Sequence, residues 1–145
     1  MSTKYAYSLK TIRVREPDFP YTGTKITCTT ELLTFARSLQ DSDIEKFLTL
    51  YLDTVNKIIC VQVMLGTVNQ AVIYPREIMK HAILSGACAI VLIHNHPSGE
   101  IRPSEQDIKL TKTIQECMKL LDISVHDHII IGGERFYSFR EEGII

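Results

Sequence analysis

Apolar and polar residues are grouped along this chain in blocks whose period changes, and each change marks an element. Residues 5 to 15 read as a strand, followed by a loop, Glu16 to Gly23, that holds two prolines and a glycine. Thr29-Thr30-Glu31 then opens a stretch in which Leu32, Leu33, Ala36 and Leu39 share one helical face, which predicts a helix to about Gln40. Asp41-Ser42-Asp43 caps or breaks it. Phe47 to Leu52 has strand length and apolar density, Asp53-Thr54-Val55-Asn56 is a turn sequence, and Lys57 to Leu65 returns as the second arm of a hairpin. Val68 to Tyr74 fits a third, short strand. Pro75 suits the first turn of a helix running to about Ser85 and stopping at Gly86.

The second half repeats this alternation. Ala87 to Ile93 is continuously apolar, the pattern of a strand covered on both faces at the centre of a sheet. A loop from His94 to Pro103 follows, and Ser104 opens a helix to about Leu121. Ser124 to Ile131 reads as a strand, Gly132-Gly133 as a hairpin turn and Arg135 to Phe139 as the last strand. Helices alternating with strands predict a layered α/β domain with a mixed sheet. Its 145 residues suit one domain, 1–145, with residues 1–28 as an N-terminal strand and loop extension.

Composition narrows the function classes. Apolar residues make up 45% and charged residues 23%, an ordinary globular balance. The formal net charge of −1, from 16 basic and 17 acidic side chains, lacks the basic excess of a dedicated nucleic-acid binder. No apolar stretch follows the first residues, and the longest apolar run, Ala87 to Ile93, is far too short to cross a bilayer. A cytoplasmic protein is expected. Cysteines 28, 60, 88 and 117 form no CxxC pair; with Cys60 and Cys88 in apolar runs, the expectation is buried free thiols rather than a cysteine metal site.

The chemistry concentrates between residues 94 and 107. Side chains two apart on an extended chain point the same way, so His94 and His96 face one side with Cα atoms about 6.6–7 Å apart, within reach of one metal. They lie just past the end of the buried strand, where α/β sheets commonly place ligands. With Ser104 as N-cap, Asp107 occupies the third helical position and can complete a His₂Asp set. Three protein ligands leave a tetrahedral position for water, which is the arrangement of a catalytic zinc site. An HxH alone is weak evidence, and Ser104-x-x-Asp107 alone could be only a helix cap.

The spacing His94-x-His96, seven residues, Ser104, two residues, Asp107 resembles the JAMM motif of MPN+ metallopeptidases. The longer text HNHPSG and PSEQDIKLT, with GTVNQAVIYPREI before it and DHIIIGG and FYSF after it, resembles the bacterial RadC family over about residues 30 to 143. The resemblance implies a three-layer α-β-α sandwich similar to the cytidine deaminase fold, and one zinc per chain. It implies hydrolysis of peptide or isopeptide bonds by a zinc-bound water, with a peptide or protein as partner substrate. It also implies a glutamate upstream of the motif as general acid/base. Two positions compete for that role. Glu45 precedes the strand beginning at Phe47, and Glu77 sits at a helix start, where favourable interaction with the helix dipole is its alternative reading. The Ser104 hydroxyl is a candidate oxyanion donor, a role that shrinks if it caps the helix instead.

The remaining candidates carry less. His126-x-His128 is a second HxH without a supporting carboxylate pattern, and Asp127 and His128 read as structural or hydrogen-bonding groups behind the site. His81 reads as a surface residue, Glu100 as exposed in its loop, and Arg76 as either a substrate-carboxylate ligand or a solvated charge. Two further function classes stay open. One is another zinc hydrolase on the same fold, although the His-x-Glu and Pro-Cys-x-x-Cys deaminase signature is absent. The other is a DNA-repair-associated accessory domain with a structural zinc, against which stand the near-neutral charge and the lack of a helix-hairpin-helix pattern in the first 40 residues.

Overall fold

The computed structural model describes residues 24–66 and 73–145. The expected strand at 5–15, the loop at 16–23, and most of the short strand expected at Val68 to Tyr74 lie outside them. Helix α1 spans Thr29–Gln40, strand β1 Lys46–Leu52, β2 Ile58–Leu65, helix α2 Pro75–Ser85, β3 Ala89–Asn95, helix α3 Glu105–Lys119, β4 Ser124–Gly132 and β5 Arg135–Ser138. The five strands form one sheet in the order β2-β1-β3-β4-β5. Only β3 and β4 run parallel, joined through α3; the other neighbours are antiparallel, so the sheet is mixed.

Period-two alternation splits the central strands between two cores. Leu48, Leu50 and Leu52 of β1, with Val91 and Ile93 of β3, pack under Leu32, Phe35, Ala36 and Leu39 of α1. Phe47 and Tyr51 of β1, with Ile90 and Leu92 of β3, face Ile78 and Ala82 of α2 and Ile114 and Met118 of α3. The result is the three-layer α-β-α sandwich that the resemblance implies, with β3 buried along its whole length. The β1–β2 turn is held by Asp53, whose Oδ1 accepts the N–H groups of Val55 and Lys57, each at 2.9 Å, while Asn56 takes the left-handed conformation at φ 62°. Gly86, at φ 70°, ends α2. Among the described residues no helix is long and apolar enough to cross a membrane.

Three expectations need correction. The four cysteines are free, but none is fully buried: Cys28 and Cys88 are exposed and Cys60 and Cys117 half-buried. Strand β3 begins at Ala89 rather than Ala87, which leaves Cys88 in the turn, its backbone bound to Leu52 and Ser124. His81 is half-buried rather than superficial, because its ring stacks on Tyr51 at 6.1 Å between centroids.

Candidate metal centre

The site forms where the carboxyl end of β3, the amino end of β1 and the amino end of α3 meet. The antiparallel register pairs Phe47 with His94. Glu45 lies two residues before Phe47 and His96 two residues after His94, so both stand at this end of the sheet. His94 is fully buried, with its ring stacked against Phe47 at 5.6 Å. His96 lies just past the strand, its N–H bound to the Ile131 carbonyl at 2.8 Å. Ser104 caps α3 and puts Asp107 at the third helical position: the Asp107 N–H donates to Ser104 Oγ at 3.1 Å, and the Asp107 carboxylate accepts the Ser104 N–H at 2.7 Å.

His94, His96 and Asp107 thereby converge, with one ligand atom from each lying within 4.8 Å of the others. The two Nε2 atoms are 2.9 Å apart, Asp107 Oδ1 is 3.3 Å from His94 Nε2, and Oδ2 is 3.5 Å from His96 Nε2. Donors about 2.0–2.1 Å from a tetrahedral zinc stand about 3.3 Å from one another, so the observed separations fit that ion. Among the described residues this is the one such group. The second HxH, which no carboxylate pattern supported, does not make another: His128 turns to His94 and His126 Nε2 pairs with Asn56 Oδ1 at 2.9 Å.

Charge is concentrated here. Burial opposes ionisation of Asp107, but its close contacts with His94 and His96 and the Ser104 hydroxyl hold its carboxyl far below the usual range. The hydrogen bond to Asp107 raises His96 above the ordinary histidine value against its partial burial, helped by the Glu100 carbonyl and by the charges of Asp107 and Glu45. Burial, followed by the neighbouring His94, pushes His128 well below that value.

The two glutamates separate in space. Glu45 is half-buried at the mouth of β1, near enough for its charge to act on His96. Glu77 lies in the first turn of α2, 39% exposed and 3.6 Å from Arg76. Arg76 is itself 78% exposed and lies over the Tyr74 ring. The Ser104 hydroxyl donates to Asp107 at 2.6 Å while accepting the Asp107 N–H, so it orients a ligand and caps the helix at once. Glu100 is exposed, as expected, yet its carbonyl accepts from His96 Nδ1 at 2.7 Å.

Several supporting residues escaped the sequence reading. Asn95, 1% exposed between the two histidines, accepts the Lys46 N–H at 2.7 Å and donates to the carbonyls of Ser42 and Ile44 at 3.3 and 3.1 Å, which fastens the segment carrying Glu45 to β3. An amide side chain inside an apolar strand end was the available signal. Thr111, fully buried one turn after Asp107, bonds to the Asp107 carbonyl and to His128, each at 2.6 Å. Gly132 lets the site loop lie directly on β4: a Cβ there would sit 2.5 Å from the Gly99 carbonyl oxygen. Asp127, by contrast, is the structural hydrogen-bonding group that the sequence suggested: it ties down the C-terminal segment, accepting from Ser138 Oγ at 2.6 Å and from the Arg140 N–H at 3.0 Å.

Comparison with known proteins places this geometry in context. A family model described as RadC-like JAB domain matches residues 26–144. A UPF0758 protein of Methanosarcina acetivorans is 45% identical over 102 residues, covering 70% of this chain and 44% of its own length. One from Latilactobacillus sakei is 46% identical over 109 residues, covering 74% and 49%, and one from Bacillus cereus is 42% identical over 119 residues, covering 81% and 52%. The chain spans about half the length of the curated relatives it matches.

Proposed function

We propose, for a chain that belongs to the RadC-like JAB domain family, that it is a zinc-dependent hydrolase cleaving peptide or isopeptide bonds. The observation that carries this reading is the convergence of His94, His96 and Asp107 beside a glutamate that is not one of the three. Zinc held by these three side chains would supply a Lewis acid and a water acidic enough to ionise near neutral pH.

The chain's own residues account for the rest. Glu45, at the open end of the sheet and near enough for its charge to act on His96, takes a proton from the attacking water and returns it to the departing amine. Asn95 keeps that carboxylate in place by holding the backbone of residues 42 to 46. Burial of His94 and Phe47 dries the inner wall, which strengthens every charge interaction at the site. The Ser104 hydroxyl keeps Asp107 oriented, and serves a developing oxyanion only by turning away from that carboxylate. Exposed Pro97, Ser98 and Glu100 border the mouth, where an extended peptide or protein segment would approach.

The test is a panel of peptide and isopeptide substrates, with folded nucleic acids beside them. Turnover of an amide substrate that is lost on chelation and restored by zinc supports the proposal. Turnover confined to nucleic acid, or amide hydrolysis indifferent to chelation, overturns it.

A further inference from the structure

One hydrogen-bonded chain behind the site begins and ends on metal-ligand residues. His94 Nδ1 lies 2.8 Å from His128 Nε2, His128 Nδ1 lies 2.6 Å from Thr111 Oγ1, and Thr111 Oγ1 lies 2.6 Å from the Asp107 carbonyl oxygen. All three side chains are fully buried. The direction of each bond follows from counting protons. Two oxygens at 2.6 Å need a hydrogen between them, and a carbonyl has none, so the single Thr111 proton goes to Asp107. Thr111 then only accepts from His128, and His128 Nδ1 carries a proton. A buried imidazole touched by no carboxylate is neutral, so its Nε2 is bare and takes a proton from His94 Nδ1. His94 Nε2 is left as a lone pair, 2.9 Å from His96 Nε2, which can donate to it.

We infer that His128 and Thr111 are positioning residues that lock His94 in the Nδ1–H form and so preset its Nε2 as a metal ligand. The lock spans β3, β4 and α3. Thr111 stands one turn after Asp107, so the same hydroxyl that orients His128 is bonded to the backbone of another ligand. Aromatic walls fix both rings: Phe47 stacks on His94, and Phe139 stacks on His128 at 4.6 Å with 17° between planes. His96 is held separately, its Nδ1 donating to the Glu100 carbonyl at 2.7 Å. Partners of this kind fix a ligating histidine's tautomer and commonly change metal affinity about 10–100-fold.

This inference rests on the metal-site reading above, and the experiment separates the two. Long-range ¹H–¹⁵N spectra of the metal-free chain identify which ring nitrogen bears the proton. The expected result is protonated Nδ1 and bare Nε2 in both His94 and His128; a proton on His94 Nε2 overturns the inference even if zinc binds. Zinc affinity, measured by competition with a chromophoric chelator, gives the second arm. His128→Phe should weaken it about 10–100-fold and Thr111→Val about 10-fold, while Thr111→Ser stays near the parent. Folded His128→Phe protein that binds zinc as tightly as the parent contradicts the lock. If His128→Phe does not fold, the spectra of the parent chain decide. A parent chain that binds no zinc at all refutes the metal-site reading, and the tautomer result stands apart from it.

Discussion

Gly132 offers a test of how the site loop is supported, because its contact is with backbone rather than with a movable side chain. In Gly132→Ala the new Cβ would lie 2.5 Å from the Gly99 carbonyl oxygen, 2.8 Å from its carbon and 2.9 Å from Ile101 Cγ2. Ile101 can rotate aside, but the Gly99 peptide must retreat by about 1 Å to reach ordinary contact. That peptide is tied to the site. The Gly99 N–H donates to the His96 carbonyl at 2.9 Å, its carbonyl accepts from Arg135 at 3.0 Å, and the next carbonyl, that of Glu100, holds His96 Nδ1 at 2.7 Å. Metal sites tolerate ligand displacements of only about 0.2 Å, so a shift of this size should tilt His96 out of line. The expected loss is about 10–100-fold in zinc affinity. Overpacking of this kind costs about 1–3 kcal/mol of stability, and Tm should fall by about 3–12 °C. Gly133→Ala is the control: its φ of 58° strains an alanine but nothing lies within 4 Å. It should lose about 1–2 kcal/mol while keeping the parent's zinc affinity. Chelator competition and calorimetry on the two variants decide the matter. Equal zinc affinity in Gly132→Ala and the parent, or an equal loss in both variants, would refute the reasoning.

Further expectations concern individual side chains. Ser104→Ala should lose about 1 kcal/mol of helix capping yet still bind one zinc, with slower amide turnover; unchanged turnover beside the stability loss assigns Ser104 to capping and ligand orientation alone. Glu45→Gln should remain folded and zinc-loaded but lose activity about 10²-fold or more, whereas Glu77→Gln should alter only stability, by about 0.3–1 kcal/mol. The reverse pattern in steady-state kinetics would exchange their roles. Random duplex DNA should bind weakly at physiological salt, given the net charge of −1; tight, salt-sensitive shifts on a gel would favour the accessory-domain alternative.

The elements that position the ligands were legible because each carries a local signal. The unbroken apolar run announced β3 as the central strand, and its two-residue side-chain period put His94 and His96 on one face. Ser104 and Asp107 announced the start of α3 through their capping spacing, and the helix begins there. What local pattern does not encode is register. Whether Glu45 or Glu77 lies near the histidines depends on the pairing of Phe47 with His94, a contact across 47 positions of chain that no periodicity reports. His128 shows the same limit. A β-bulge where Ile90 and Val91 face Val125 and Asp127 turns His128 toward His94, so the second HxH separates into two unrelated contacts. Gly132 and Gly133 look alike in the sequence, yet one is required by a close approach and the other by its dihedral. Asn95 escaped the sequence reading because its three backbone partners are recruited from another strand's approach.

The metal content of the purified chain and its ligand variants tests the central claim most directly. Elemental analysis should find about one zinc per chain in the parent and in His126→Ala, because among the described residues one complete ligand set converges. His94→Ala, His96→Ala and Asp107→Ala should each lose it while staying folded. A parent chain that takes up no zinc, or zinc retained in all three ligand variants and lost in His126→Ala, would contradict the account.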